Sequence, residues 1–375
     1  MKYDCIVIGG GASGMAVAAA VRGRTLVIER NERLGKKLSA TGNGQGNVTN
    51  LNVAEDKYFT SGGKEIIADV IKRYDCSKII EFLSGLGGIY LADDRGRVYP
   101  SSRQASSVTD VFRFYLNDKN VETALGQRVE KIKKIGDVFE VTTTVNKYVA
   151  SNVALCAGGK AAKNFGTDGN GYILAESLGH TLAPQYPSLV QLKTDMSKIK
   201  GLKGIKVAAS VRCCGVVENG DVLFTEYGVS GDAIFRISAY RPSEINIDLL
   251  PSVSKSDLVE AMRREKDRPL CAIVNNQIAN SVIRRVGNDI EKIANEIKSL
   301  NLTVLGTLGF DYAQVTKGGV RLAEVNNDLM SKKQKGLYFC GEILDVDGLC
   351  GGYNLHWAFA SALRVARSIN ENLIK

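Results

Sequence analysis

The chain has 375 residues, too long for one ordinary core, so two domains are expected, and 44% of the residues are apolar, ample for a folded interior. Its formal net charge of +9 would suit an acidic ligand, but lysine and arginine are dispersed without an interleaved aromatic stripe, which argues against a nucleic-acid partner. No run approaches a membrane helix, no signal-peptide pattern opens the chain, and the eight cysteines form neither C-x-x-C nor a metal framework, so a cytoplasmic protein with no membrane partner, dithiol shuttle or metal is expected.

The apolar run Tyr3–Ile8 reads as a buried parallel strand. It meets Gly9, Gly11 and Gly14 in a G-x-G-x-x-G pattern, and the Ala-rich segment from Met15 supplies a helix. Gly9 suits the tight turn, Gly11 a close backbone approach to a pyrophosphate, and Gly14 the packing of helix on strand. A second strand, Leu26–Ile28, ends at Glu29, fifteen residues after Gly14, placed to accept hydrogen bonds from an adenosine ribose and to disfavour the extra phosphate of NADP. Together these parts describe a dinucleotide clamp.

Small and amide residues then dominate Ser39–Asn50, and glycines alternating with Asn and Gln offer close backbone donors for wrapping a ligand. Helical spacing follows at Lys64–Tyr74, Ser77–Leu86 and Val108–Leu116, and strands at Gln127–Ile132, Val138–Thr144 and Asn152–Leu155, with Gly136-Asp137 as a hairpin turn. The last strand enters Ala157-Gly158-Gly159, a second close backbone approach. Thr167–Tyr172 caps a helix to Leu178, and Pro184 and Pro187 mark a domain boundary. From Val190 to about Leu250 the pattern is short strands with a turn at Glu218–Asp221, followed by helices at Ser256–Arg264, Ala272–Val286 and Asp289–Leu300. The C-terminal part returns to a strand, Gly336–Cys340, entering Gly341 and Glu342, and Gly351–Asn354 opens a closing helix to about Ser368.

These residues resemble the HI0933-like flavoproteins, a family with bile-acid reductase and aminoacetone oxidase types, within the glutathione-reductase-like two-dinucleotide-binding flavoproteins. The resemblance rests on Gly9–Gly14, Gly35–Leu38 with Thr41–Gly44, Phe224–Gly231, Val315–Val320 and Gly341–Leu355. It implies an α/β architecture: a Rossmann-like FAD-binding domain from residues 1–186 and 318–375, and an inserted domain at 187–317 with a β-barrel part (about 187–250) and a helical part (about 251–305). It places Ala12 and Ser13 at the pyrophosphate, Glu29 with Arg30 at the adenosine end, and Lys36 and Lys37 beside phosphate or flavin. Thr41, Gly42, Asn43, Gly44 and Asn47 would follow the ribityl chain and ring. Val129 would offer its backbone to adenine, Ala157 and Gly158 would cover the adenosine side, and Gly341 and Glu342 would hold the ribityl or phosphate region. Gly352, Tyr353, Asn354 and Leu355 would direct N–H groups at the flavin pyrimidine edge, where a helix start stabilises negative charge on reduction.

Two departures from the family pattern stand out: Gln45-Gly46 replaces the usual Arg-Cys before Asn47, and Cys350 replaces a common Thr. Cys350 and His356 are therefore the candidate catalytic side chains, whereas His180 reads as structural. No second glycine clamp is visible, so NAD(P)H would act as a transient donor. The expected activity is FAD-dependent reduction of an activated C=C bond in a hydrophobic small molecule, with Phe224–Ser230 as the substrate-contact loop. Two alternatives are an FAD-dependent amine oxidase producing peroxide and a tRNA-modifying or nucleic-acid-binding flavoprotein; the oligomeric state is not legible.

Overall fold

The first strand, β1 (Lys2–Ile8), is buried on both faces beyond its first residues, the signature of a central parallel strand. In the computed structural model, which describes residues 2–264, 270 and 272–374, β1 pairs in parallel with β2 (Thr25–Ile28) and, through Ile8↔Leu155, with a later strand. Cys271 lies outside the described residues. Between β1 and β2 runs α1 (Ala12–Ala20), whose Ser13–Ala19 stretch is wholly buried. Its small side chains let it be covered on every side instead of presenting one apolar stripe.

The chain divides into two compact units, residues 1–186 with 315–375, and residues 187–314. In the first, β3 (Glu122–Ala124), β4 (Val129–Ile135), β5 (Val138–Thr143) and β6 (Lys147–Leu155) extend the sheet in the order β3-β2-β1-β6-β5-β4, and β7 (Leu337–Phe339) also pairs with β6. The β4–β5 hairpin turns at Gly136-Asp137 as expected. Lys131 and Lys133 are exposed on the edge strand β4, which discourages pairing with other chains. The closing helix α2 (Tyr353–Leu373) packs on α1, joining the two chain ends through one core. His180 is a structural hub: Nδ1 lies 3.0 Å from Glu324 Oε2 and Nε2 lies 2.8 Å from Ser331 Oγ.

The second unit contains a closed six-stranded barrel with neighbours in the order Leu192–Thr194, Gly228–Ser230, Val216–Phe224, Lys206–Cys213, Glu244–Asp248 and Leu300–Thr307. One sequence expectation is corrected here. Residues Glu218–Asp221 lie inside the strand Val216–Phe224, not in a turn, and the reversal falls at Cys214-Gly215. Gly220 serves close packing: a side chain there would collide with Asp232 and Arg236 of an unexpected helix, Asp232–Ser238. Asp232 Oδ1 accepts the Asp221 N–H at 2.7 Å, and Arg236 Nε donates to Glu218 Oε2 at 2.6 Å. The sixth barrel strand comes only after helices Lys255–Arg264, Asn276–Val286 and Ile290–Lys298, so these helices are an excursion between the last two strands.

Phe224 is among the largest fully buried side chains of this unit. Phe224→Ala should cost about 3–5 kcal/mol and lower the unfolding midpoint by roughly 10 °C or more in calorimetry; a shift below about 2 °C would show that the site collapses without loss.

Candidate functional site

The turn after β1 combines one place of no room with one of open space. Gly14 sits so close to β1 that any side chain there would collide with the Gly9 carbonyl oxygen. Gly11, by contrast, has φ −81° and ψ −165°, and a Cβ added there meets no atom within 4 Å. The α1 terminus beside it has no side-chain cap and no acid in its first turn. The first N–H groups of a helix have no intrahelical partner and carry its positive dipole end, so the space before Gly11, Ala12 and Ser13 suits a phosphate group.

Glu29, at the end of β2, is 8% exposed. Its Oε2 accepts the Gly10 N–H at 2.7 Å, and its Oε1 accepts the Asn31 N–H and Nδ2 at 2.8 and 2.7 Å. A carboxylate has about four acceptor positions, so one remains for a ribose hydroxyl. Arg30 turns to Asp168 at 2.6 Å. Burial works against the Asp168 charge, but the Arg30 hydrogen bond, the Asn170 N–H and the nearby guanidinium charges outweigh it and hold the carboxyl below the usual range. Val129, expected at adenine, has its carbonyl engaged by Asn170 Nδ2 at 2.9 Å.

The two chain ends meet at Gly341. Its φ is +77°, and a Cβ there would lie 2.6 Å from Ser13 Oγ. Its N–H donates to Ser361 Oγ at 2.9 Å, and its carbonyl accepts the Trp357 indole N–H at 3.2 Å. The adjacent Glu342 receives Lys37 Nζ at 2.6 Å on one oxygen and the Thr316 N–H at 2.9 Å on the other. Thr316 Oγ1 in turn accepts the Lys160 and Ala161 N–H groups at 2.8 and 2.9 Å, closing the segment after Ala157 and Gly158 onto the same corner. Lys37, Gly341, Glu342 and the segment after Ala157 and Gly158 thus meet at one corner, and Lys36 is half-buried beside them in sequence. Thr316, Trp357 and Ser361 were not singled out: Thr316 lies in a recognised motif without an evident role, and nothing in the sequence marks Ser361.

The loop from Thr41 holds three successive left-handed residues, Gly42, Asn43 and Gly44, with φ 59°, 54° and 82°. Gly42 to Gln45 are exposed, while Asn47 is buried and donates to the Thr49 and Val98 carbonyls at 2.9 and 3.1 Å. Gly352, whose added Cβ would collide with the Thr49 carbonyl oxygen, starts α2 with no side-chain cap. Asn354 is locked to Gly348, accepting its N–H at 2.8 Å and donating to its carbonyl at 2.7 Å. The first-turn amides of Tyr353, Asn354 and Leu355 lie at a helix start without a side-chain cap.

The two catalytic candidates separate. His356 is completely buried, with Nδ1 2.8 Å from Thr49 Oγ1, so it is not open to a ligand as its place after Gly352–Leu355 suggested. Cys350 is half-buried on the turn before α2, within electrostatic reach of Arg97 and Tyr99. Among the described residues no group of His, Cys, Asp or Glu could hold a metal ion, and no helix is long and apolar enough to cross a membrane.

The HI0933-like protein Rossmann domain family matches residues 3–368. The chain is 34% identical to the 3-dehydro-bile acid delta(4,6)-reductase of Clostridium scindens, over 97% of this chain and 98% of that one. It is 28% identical to the ribosomal RNA dihydrouridine synthase of Escherichia coli K12, over 98% of both. The solved 3-ketosteroid-delta4-(5alpha)-dehydrogenase of Rhodococcus jostii RHA1, in complex with 4-androstene-3,17-dione, shares the fold at a TM-score of 0.55 and 14% identity, over 98% of this chain and 97% of that one.

Burial pushes the His356 pKa down to about 4, against a weaker opposing pull from Asp75. A depressed pKa makes the stability tied to neutral His356 complete above the unfolded value, about 6.5, and lost as pH falls through the folded value. His356→Gln should therefore flatten the fall in urea-unfolding free energy between pH 7 and 4 by up to about 3 kcal/mol, and equal slopes for both proteins would contradict this.

Proposed function

The chain belongs to the HI0933-like family, with a Rossmann-like FAD-binding domain and the character of an FAD-dependent oxidoreductase, and we propose that it reduces a C=C bond conjugated to a carbonyl in a hydrophobic small molecule. The observation that carries this reading is the full-length 34% identity to a reductase of an unsaturated steroid ketone. The fit of the corner residues to a dinucleotide supports it: open space at Gly11, an uncapped helix start, and a buried carboxylate with one acceptor position left.

Bound FAD supplies the hydride relay between a reductant, here NADH or NADPH, and the carbon β to the carbonyl. The chain's own residues seat and polarise it. Ala12 and Ser13 N–H groups would hold phosphate oxygens, Glu29 would accept from the ribose, and the Lys37–Glu342 pair would stand beside the phosphates or the flavin. The α2 start directs the amides of Tyr353, Asn354 and Leu355 at the pyrimidine edge, where a positive dipole end favours added negative charge. Thr41–Asn47 flanks the ring with a loop of backbone donors. Hydride addition leaves an enolate, and a proton must reach the adjacent carbon. With His356 enclosed, Cys350 Sγ is the chain's accessible candidate for that proton.

A second reading, an RNA uridine as the reduced substrate, is favoured by one observation, the 28% identity to a ribosomal RNA dihydrouridine synthase over nearly all of both chains. The chemistry is the same, since the uracil C=C bond is also conjugated to a carbonyl. A steep fall of binding to ribosomal RNA fragments with salt would support it.

In anaerobic stopped flow, NADH or NADPH should bleach the oxidised flavin spectrum, and a conjugated steroid enone should restore it; failure of every donor and enone pair would contradict the reading. Cys350→Ala should slow turnover by about tenfold or more with flavin content unchanged, whereas unchanged turnover would assign the proton to solvent.

A further inference from the structure

A small three-stranded sheet in the first unit, Thr49–Asn50, Arg97–Pro100 and Tyr90–Ala92, has one face in the core, and on the other Asn50 and Tyr99 are covered while the edge strand leaves large apolar side chains exposed. Opposed residues of an antiparallel pair share a face, as do residues two apart. The pairs Thr49↔Val98 and Tyr90↔Pro100 mark the inner face, where Val98 is fully buried. The pairs Asn50↔Arg97 and Leu91↔Tyr99 mark the other, and Ile89 falls on it two residues before Leu91. Ile89 and Leu91 are 69% and 56% exposed, large apolar side chains with no core duty.

Tyr99 is paired across from Leu91 and carries two cations over its ring. The Arg103 guanidinium carbon stands 4.2 Å from the ring centroid and that of Arg97 5.7 Å. Arg97 is already paired, with Nε and Nη2 at 2.8 and 2.7 Å from Asp93 Oδ2. Arg103 is exposed and, among the described residues, has no acid at ion-pair distance. Its backbone is left-handed at φ +53°, unusual for a residue with a side chain, and a backbone cost of this kind persists where the surroundings hold it in place. The sheet adjoins the candidate cofactor site: Asn50, itself buried, donates through Nδ2 to the Gly351 carbonyl at 2.8 Å, and a Cβ on Gly46, in the Thr41–Asn47 loop, would stand 2.9 Å from the Cα of Ala105, two residues past Arg103.

We propose that this face is the substrate-recognition surface, taking an amphipathic small molecule whose apolar body lies on Ile89 and Leu91 and whose single carboxylate or sulfonate pairs with Arg103. It rests on the reductase reading, because only then does a surface beside the Thr41–Asn47 loop meet a small organic substrate. Charge complementarity selects the anionic group: one uncompensated guanidinium beside apolar side chains matches one negative charge on a hydrophobic skeleton. A nucleic-acid surface would instead present exposed aromatic faces for stacking and several phosphate-spaced cations, whereas here the Tyr99 ring is covered by arginines. The missing cation noted at Gln45-Gly46 is thereby supplied from a neighbouring strand and turn.

The test uses the holoenzyme and two probes, a cholenoic acid bearing a conjugated enone and its methyl ester, titrated while following the flavin absorbance difference and, independently, by calorimetry. Wild type should bind the acid more tightly than the ester. Arg103→Gln should weaken the acid by at least about tenfold while leaving the ester unchanged, Arg103→Lys should retain the preference, and Leu91→Ser should weaken both. Equal binding of acid and ester by wild type, or an unaltered acid affinity in Arg103→Gln, would overturn the proposal. So would loss of ribosomal RNA hairpin affinity in Arg103→Gln with acid binding intact. Should the enone bind with the expected preference yet fail to reoxidise the reduced flavin, the reductase reading falls while the assignment of this surface stands.

Discussion

Closure of the two chain ends at Gly341 is the constraint from which the rest of the first unit follows. A residue in the first turn of α1 and a residue from the C-terminal part of the chain must approach within a side chain's breadth, and only glycine at 341 leaves Ser13 its place. The N–H and carbonyl of Gly341 are then buried and must be satisfied, which Ser361 and Trp357 of α2 do. An unpaired buried polar group costs about 1–3 kcal/mol, so α2 cannot shift along α1 without leaving both groups stranded. Because β7 and α2 complete a sheet and helix layer begun by β1 and α1, residues 187–314 can only be an excursion from this unit.

The same closure sets the chemistry. Two helix starts without side-chain caps, at Gly11 and Gly352, belong to helices that pack on each other, so one unit carries two positive dipole ends without a side-chain partner. Carboxylates near them are committed before any ligand arrives. Glu342 bridges Lys37 and Thr316, and Glu29 holds Gly10 and Asn31. Their charges therefore fix backbone positions, and a site assembled this way is shaped in advance of any ligand.

What could be read from the sequence was what is local. The segment from β1 to Glu29 depends on glycine positions and apolar runs within thirty residues, and the structure forms its strand, turn, helix and second strand as read. Tertiary contact defeated the reading elsewhere. The Asn219-Gly220 pair looks like a turn, yet Gly220 is small because a helix crosses it, a fact carried by Asp232 and Arg236 and not by its neighbours. His356 follows directly on the α2 start, which suggests an open position, but the first half of α2 is covered nearly all round and Tyr353, His356 and Trp357 are all buried. The arginine-flanked Tyr99 was equally hidden, since the alternation Arg97-Val98-Tyr99 marks a strand without revealing that Arg103 folds back over it.

The most direct measurement is the FAD affinity and apoprotein stability of Gly11→Val. Backbone angles at Gly11 are open to any residue and its Cβ direction is empty, so the apoprotein should unfold within about 0.5 kcal/mol of wild type, while FAD affinity should fall at least about a hundredfold because the side chain fills the phosphate position. Stoichiometric FAD binding with unchanged affinity in this variant would contradict a cofactor seat at the β1–α1 turn.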